Sequence, residues 1–168
     1  MQRMRRLAVL AVIVIFCVGC DQATKSVAQT QLAGEPPIIL ADNLVRFEYT
    51  ENPAAFMSFG VTLHPDVQYW LFTVLASVLL AGVLLFILKE SKTMHFSILI
   101  ALSLFVGGGL GNLIDRFFND GRVVDFVSIG IGSLRTGIFN VADMAIMTGF
   151  VLMILFGRHL TSEEEQST

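Results

Sequence analysis

The sequence predicts an all-α membrane protein, a four-transmembrane-helix bundle carrying a small extracytoplasmic β-sheet on its outer loop. Three observations predict it. Of the 168 residues, 54% are hydrophobic and 15% are charged, whereas a soluble domain carries about a quarter charged residues. Four apolar runs approach the length needed to cross a bilayer. Between the first two, the pattern changes from unbroken apolar residues to strict alternation, which is strand periodicity. The length fits one membrane domain, 1–168, with helices at about 5–25, 69–88, 96–115 and 138–157 and outer loops at 26–68 and 116–137.

The first run, Leu7–Cys20, follows the basic start Met1-Gln-Arg-Met-Arg-Arg6. A basic start, a short apolar core and Cys17-Val18-Gly19-Cys20 also fit a rival reading, the cleaved signal peptide of a lipoprotein. Asp21-Gln-Ala-Thr-Lys25 then continues with no helix breaker, and Asp21 and Lys25 are four apart, on one side of a continuing helix. An uncleaved helix is therefore expected. The second and third runs, Tyr69–Leu88 and Phe96–Ile114, carry no charge, and the fourth, between Arg135 and Arg158, carries only Asp143.

Orientation follows from the basic residues. Arg3, Arg5, Arg6, Lys89, Lys92 and Arg158 fall on one side of such a bundle, and Lys25, Arg46, Arg116, Arg122 and Arg135 on the other. Weighted by the N-terminal cluster, this places both termini in the cytoplasm and both long loops outside. In the first outer loop Pro36-Pro37 breaks any helix. Val45, Phe47 and Tyr49 then alternate with Arg46, Glu48 and Thr50, the pattern of a strand in a small sheet at the membrane surface. Tyr69 and Trp70 suit an interfacial anchor. Gly107 and Gly111 form a G-x-x-x-G, a signal for close helix packing in lipid.

Several chemistries are excluded. Cys17 and Cys20 form a C-x-x-C with no further ligand near it, and His64, His95 and His159 are scattered, so no metal is expected. No G-x-S-x-G is present. No basic stripe alternates with aromatics, which argues against nucleic acid.

What remains is the stretch 107–143, where Asp115, Asp125 and Asp143 sit among apolar residues. A carboxylate in or beside lipid is costly and marks a functional-site hypothesis. Asn112 and Arg116 share one face of the third helix, and Asn140 and Asp143 share one face of the fourth. Asp125, in Gly121-Arg-Val-Val-Asp-Phe126, lies in the connection and can fold back over Asp143. Two adjacent carboxylates share a proton and can activate water without a nucleophilic side chain. The alternative is structural: Asp125 paired with Arg122, and Asp143 with Arg116. Spacing alone leaves both open.

The segments Asp21-Gln-Ala-Thr-Lys25, Gly111-Asn-Leu-Ile-Asp-Arg116, Val123-Val-Asp-Phe126 and Phe139-Asn-Val-Ala-Asp143 resemble, in order and spacing, the lipoprotein signal peptidase (signal peptidase II) family of aspartic membrane endopeptidases. The resemblance implies that Asp125 and Asp143 are the catalytic aspartates. It implies that Asp21, Lys25, Asn52, Asn112, Arg116, Asn140 and Ala142 bind substrate or support the site. Lys25 with Asp21 reads as a buried support pair. Arg116 reads as neutralising the two aspartates and positioning Asp143, with contact to the substrate as the alternative. The implied substrates are diacylglyceryl-modified prolipoproteins, cut just before the lipidated cysteine at the outer face of a bacterial inner membrane. Their lipid lies along the helix flanks, and neither cofactor nor metal is used. The chain departs from the family in one loop, reading Asn52-Pro-Ala-Ala-Phe-Met-Ser58 where the family pattern is roughly Asn-x-Gly-Ala-Ala-Phe-Ser. That change raises a second reading, a divergent, non-catalytic relative that binds lipoproteins or signal helices.

Overall fold

The computed structural model describes residues 1–54, 60, 62–132 and 134–166, with side chains as far as Gly157. Helix α1, Gln2–Leu32, runs unbroken through Cys17, Cys20 and the Asp21–Lys25 segment. It is followed by strands β1, Ile38–Leu40, and β2, Val45–Asn52. Helix α2 spans Pro65–Glu90 and contains one wide, π-helical turn at Trp70–Leu75. Helix α3 is Phe96–Phe118, strands β3 and β4 are Val123–Ile131 and Leu134–Arg135, and helix α4 is Val141–Gln166.

Three of the helices, α1, α2 and α3, are long and apolar enough to cross a membrane. The apolar part of α4, Val141–Gly157, is shorter; at about 1.5 Å per residue it reaches roughly 25 Å, a little under the bilayer core. The first helix runs further than expected at its C-terminal end. It stops only where Gly34, at φ +79°, and Pro36-Pro37 make continuation impossible.

α3 is the central helix, packed against α1, α2 and α4. Its core residues Leu99, Leu102, Val106 and Leu113 meet Leu10 of α1 and Leu80 and Ile87 of α2. The glycine-rich turn makes this closeness possible. A Cβ on Gly107 would lie 2.8 Å from the Cβ of Cys17, and one on Gly111 would lie 2.7 Å from the Asp21 carboxylate. The G-x-x-x-G face therefore packs mainly on α1. Gly108, between them, takes α4, since a Cβ there would lie 2.9 Å from the Ile146 side chain. At the opposite end from the sheet, Arg6 donates to the carbonyls of Ser91 and Met94 and closes α1 onto the α2–α3 turn.

The sheet is larger than the alternation in one loop predicts. Its order is β1-β2-β3-β4, all antiparallel, so both long loops contribute. Thr50 pairs with Asp125 and Asn52 with Val123, with an irregularity between Phe47 and Thr50. Phe126 packs with Ala28 and Leu32 of α1, which seats the sheet on the bundle end.

Candidate active site

The polar residues of the sequence motifs converge where the sheet meets the C-terminal parts of α1 and α3 and the start of α4. Asp125 comes from β3, not from an irregular connection. In its strand the flanking Val124 and Phe126 are buried as well, so the carboxylate is fixed by the sheet register. Only 2% of Asp125 is exposed, and 7% of Asp143.

Amides surround both. Asn52 Nδ2, one strand away, donates to Asp125 Oδ2 at 2.9 Å. Asn140 Nδ2 donates to Asp125 Oδ1 at 2.7 Å. The Asn140 side-chain oxygen, Oδ1, meanwhile accepts the backbone N–H of Asp143 at 2.9 Å, an N-cap for α4. Asn112 Nδ2 donates to Asp143 Oδ1 at 2.8 Å, and its oxygen accepts from Asn140 at 3.1 Å. The Asn140–Asn112 pair thus links the two carboxylates. Burial pushes the Asp125 carboxyl up to about 6, with the Asp143 charge adding to the rise and the Asn52 and Asn140 donors opposing it.

Beneath this layer, Lys25 satisfies all three of its donors. It meets Asp21 at 2.7 Å, Asp115 at 2.9 Å and the Asn112 oxygen at 2.9 Å. Asp21, fully buried, also accepts the backbone N–H of Ala142 at 2.8 Å. It thereby neutralises one of the unpaired donors at the start of α4, where a negative charge is favourable. Ala142 is small for the same reason that residue 111 is glycine, since its Cβ would stand 3.2 Å from a Cβ there.

Arg116 does not pair with Asp143. Its Nη2 donates to the Ala54 carbonyl at 2.7 Å, and its buried Nε has no partner among the described residues. Arg122 pairs with Glu51 at 3.0 Å. Neither ion pair of the structural alternative therefore forms. Arg116 instead ties α3 to the loop after β2. That loop turns on Asn52, whose side-chain oxygen accepts from the Ala54 N–H at 2.9 Å. The departure from the family pattern continues past Ala54 to Ser58, outside the described residues.

A cavity of about 330 Å³ opens beside Asp143. Asn112, Arg116 and Asp143 form its polar end, and Phe72, Leu79, Phe105 and Met147 are among its apolar walls. No group of His, Cys, Asp or Glu among the described residues is arranged to hold a metal ion. Cys17 and Cys20 are free thiols.

The family model described as signal peptidase (SPase) II matches residues 13–157. The chain belongs to the signal peptidase II family. It is 40% identical over 147 residues to a lipoprotein signal peptidase of Hydrogenovibrio crunogenus, covering 87% of this chain and 81% of that one. It is 32% identical over 157 residues to one from Streptomyces coelicolor, covering 90% and 71%. A solved structure described as a bacterial membrane enzyme, obtained by the in meso method, superposes with a TM-score of 0.75 at 26% identity, covering 92% of this chain and 90% of the other. With its membrane-length helices, the chain is a multi-pass bacterial membrane protein of that family.

Two participants lacked a role in the sequence reading. Asp115 stood out as a carboxylate among apolar residues, yet it anchors Lys25, accepts the Val124 N–H at 2.9 Å and takes Gln22 Nε2 at 2.8 Å. The signal was its place three residues after Asn112, on a neighbouring part of the same face. Gln22 carried no signal beyond sitting beside Asp21.

Proposed function

We propose that the chain is an aspartic endopeptidase that removes the signal peptide from diacylglyceryl-modified prolipoproteins, cutting just before the lipidated cysteine. The observation that carries the reading is the burial of Asp125 and Asp143 in one amide-linked network at the end of an apolar cavity. The ionised member of the pair takes a proton from water as the hydroxyl oxygen bonds to the scissile carbonyl carbon. The protonated member first polarises that carbonyl and then protonates the leaving nitrogen as the C–N bond breaks. One proton enters the pair and one leaves, so it returns to its starting state with one water consumed. Asn52, Asn112 and Asn140 hold the carboxyls in place, and Lys25, Asp21 and Asp115 hold the asparagines and the start of α4.

The apolar walls suit the diacylglyceryl chains, whose binding far from the reacting bond positions the amide at the aspartates. The same reading puts both termini in the cytoplasm and the site at the outer face of the inner membrane. An in vitro cleavage assay tests it directly. The purified protein is expected to cut lipidated precursor and to leave the unlipidated precursor intact, while Asp125→Asn and Asp143→Asn stay folded and cut neither. Full activity in either variant would end the two-aspartate mechanism. The altered segment after Asn52 supports a second reading, a binding-only relative, and wild-type inactivity on several lipidated precursors would favour it.

A further inference from the structure

A second cavity, of about 230 Å³, opens between the outer ends of α1 and α3. Ile114 and Phe118, which line it from α3, face away from Gly109, Leu113 and Arg116, which line the apolar cavity, and Asp115 stands between the two faces, beside Asn112. Its character differs too: Gln22, Ser26, Gln29, Asp115 and Asn119 line it, with Lys25, whose donors are all taken, at its base. At roughly 30 Å³ per molecule in the liquid, it has room for several waters, and it offers each more than one polar partner.

A continuous polar layer separates this cavity from the aspartates. Gln22 contacts Asp115 at 2.8 Å, Asp115 contacts Lys25 at 2.9 Å, Lys25 contacts Asn112 at 2.9 Å and Asn112 contacts Asp143 at 2.8 Å. A second route runs from Asp115 through the Val124 peptide to Asn140, which touches Asp125. The front of the site is poorly suited to admitting water. Asp125 and Asp143 are already almost wholly buried, and the walls of the front cavity are apolar, so acyl chains filling it displace water from Asp143. Yet each hydrolysis consumes one water.

We propose that this rear polar cavity is a water-binding site that supplies the hydrolytic water to Asp125 and Asp143 while a lipid substrate occludes the front. Gln22, the one half-buried member of an otherwise buried layer, is the member best placed to move, and its swing would release the bridge that its amide makes between the Asp115 carboxylate and the Gly111 carbonyl. The inference rests on the peptidase reading above.

Ser26 is exposed and lines the rear cavity without bonding to the network. In a Cys17→Ala/Cys20→Ala background, Ser26→Cys in bilayer discs is modified with methanethiosulfonates carrying a methyl or a benzyl group. Two precursors are compared, one with long acyl chains and one with chains too short to fill the front cavity. With the long-chain precursor, kcat is expected to fall at least tenfold with the benzyl group and less with the methyl group, at unchanged KM. With the short-chain precursor, whose front cavity still admits water at its polar end, kcat is expected to hold. Unchanged kcat on the long-chain precursor after complete benzyl labelling would overturn the supply route. Equal losses on both precursors would also overturn it, because they indicate a deformed network instead of a blocked one. Unmodified protein that cut neither would sink the peptidase reading itself, and this inference with it.

Discussion

Asp125 is the residue whose chemistry is most exposed to test. Its carboxyl is pushed up to about 6, chiefly by burial, so it carries a proton on the acid side of neutrality and loses it as pH rises. Since the proposed reaction needs one protonated and one ionised aspartate, kcat/KM is expected to decline as pH rises through about 6. That quantity reports the free enzyme. Asn52→Ala removes a donor that favours the ionised form, so the declining limb should move to higher pH; a limb that moves down or stays fixed would contradict the assigned contact. Lys25→Met should act on stability. It leaves Asp21 and Asp115 buried without their cation, and breaking such a pair costs about 3–5 kcal/mol. Thermal unfolding in detergent measures this, and a melting temperature within a degree of wild type would show that the cluster is not held by charge. These residues were legible as motifs, but their partners were not. Nothing in a sequence says that Arg116 would reach Ala54 while Asp143 is held by Asn112.

At the scale of the elements, the contact of α3 with α4 depends on Gly108. A Cβ there meets the Ala142 carbonyl and the Ile146 side chain and backbone, and backbone cannot step aside as the end of a flexible side chain can. Gly108→Ala is expected to cost about 1–3 kcal/mol and to lower kcat sharply, because it displaces the turn that carries Asn140 and Asp143. Gly82→Ala on α2 is the matched control. Among the described residues nothing lies within 4 Å of its added Cβ, so activity should hold and stability should be unchanged or slightly raised by helix propensity. Equal effects from the two variants would remove the packing argument. The sheet teaches a related lesson. Strand β2 was readable from its alternation, whereas β3 was not, because Val123, Val124, Asp125 and Phe126 are all buried and show no period of two. A strand covered on both faces looks like any short apolar run.

For the whole molecule, topology makes the sharpest prediction. Cysteines placed in the 90–95 turn should react only from the cytoplasmic side of inside-out vesicles, and cysteines in 35–44 only from the other side. The reverse pattern would invert the proposed orientation, and reaction of both from one side would mean that α2 does not cross the membrane. The amino-acid order by itself determined the four helices, the family motifs and the candidate aspartates, since hydropathy, glycine spacing and motif order are local properties of a chain. The tertiary structure alone decided that both long loops form one sheet, that Asp21 caps a helix 121 positions along the chain, and that Lys25 bonds two carboxylates and an amide together. Those outcomes depend on which buried donors and acceptors meet in space. A buried polar group must be satisfied by whichever partner the packing brings to it.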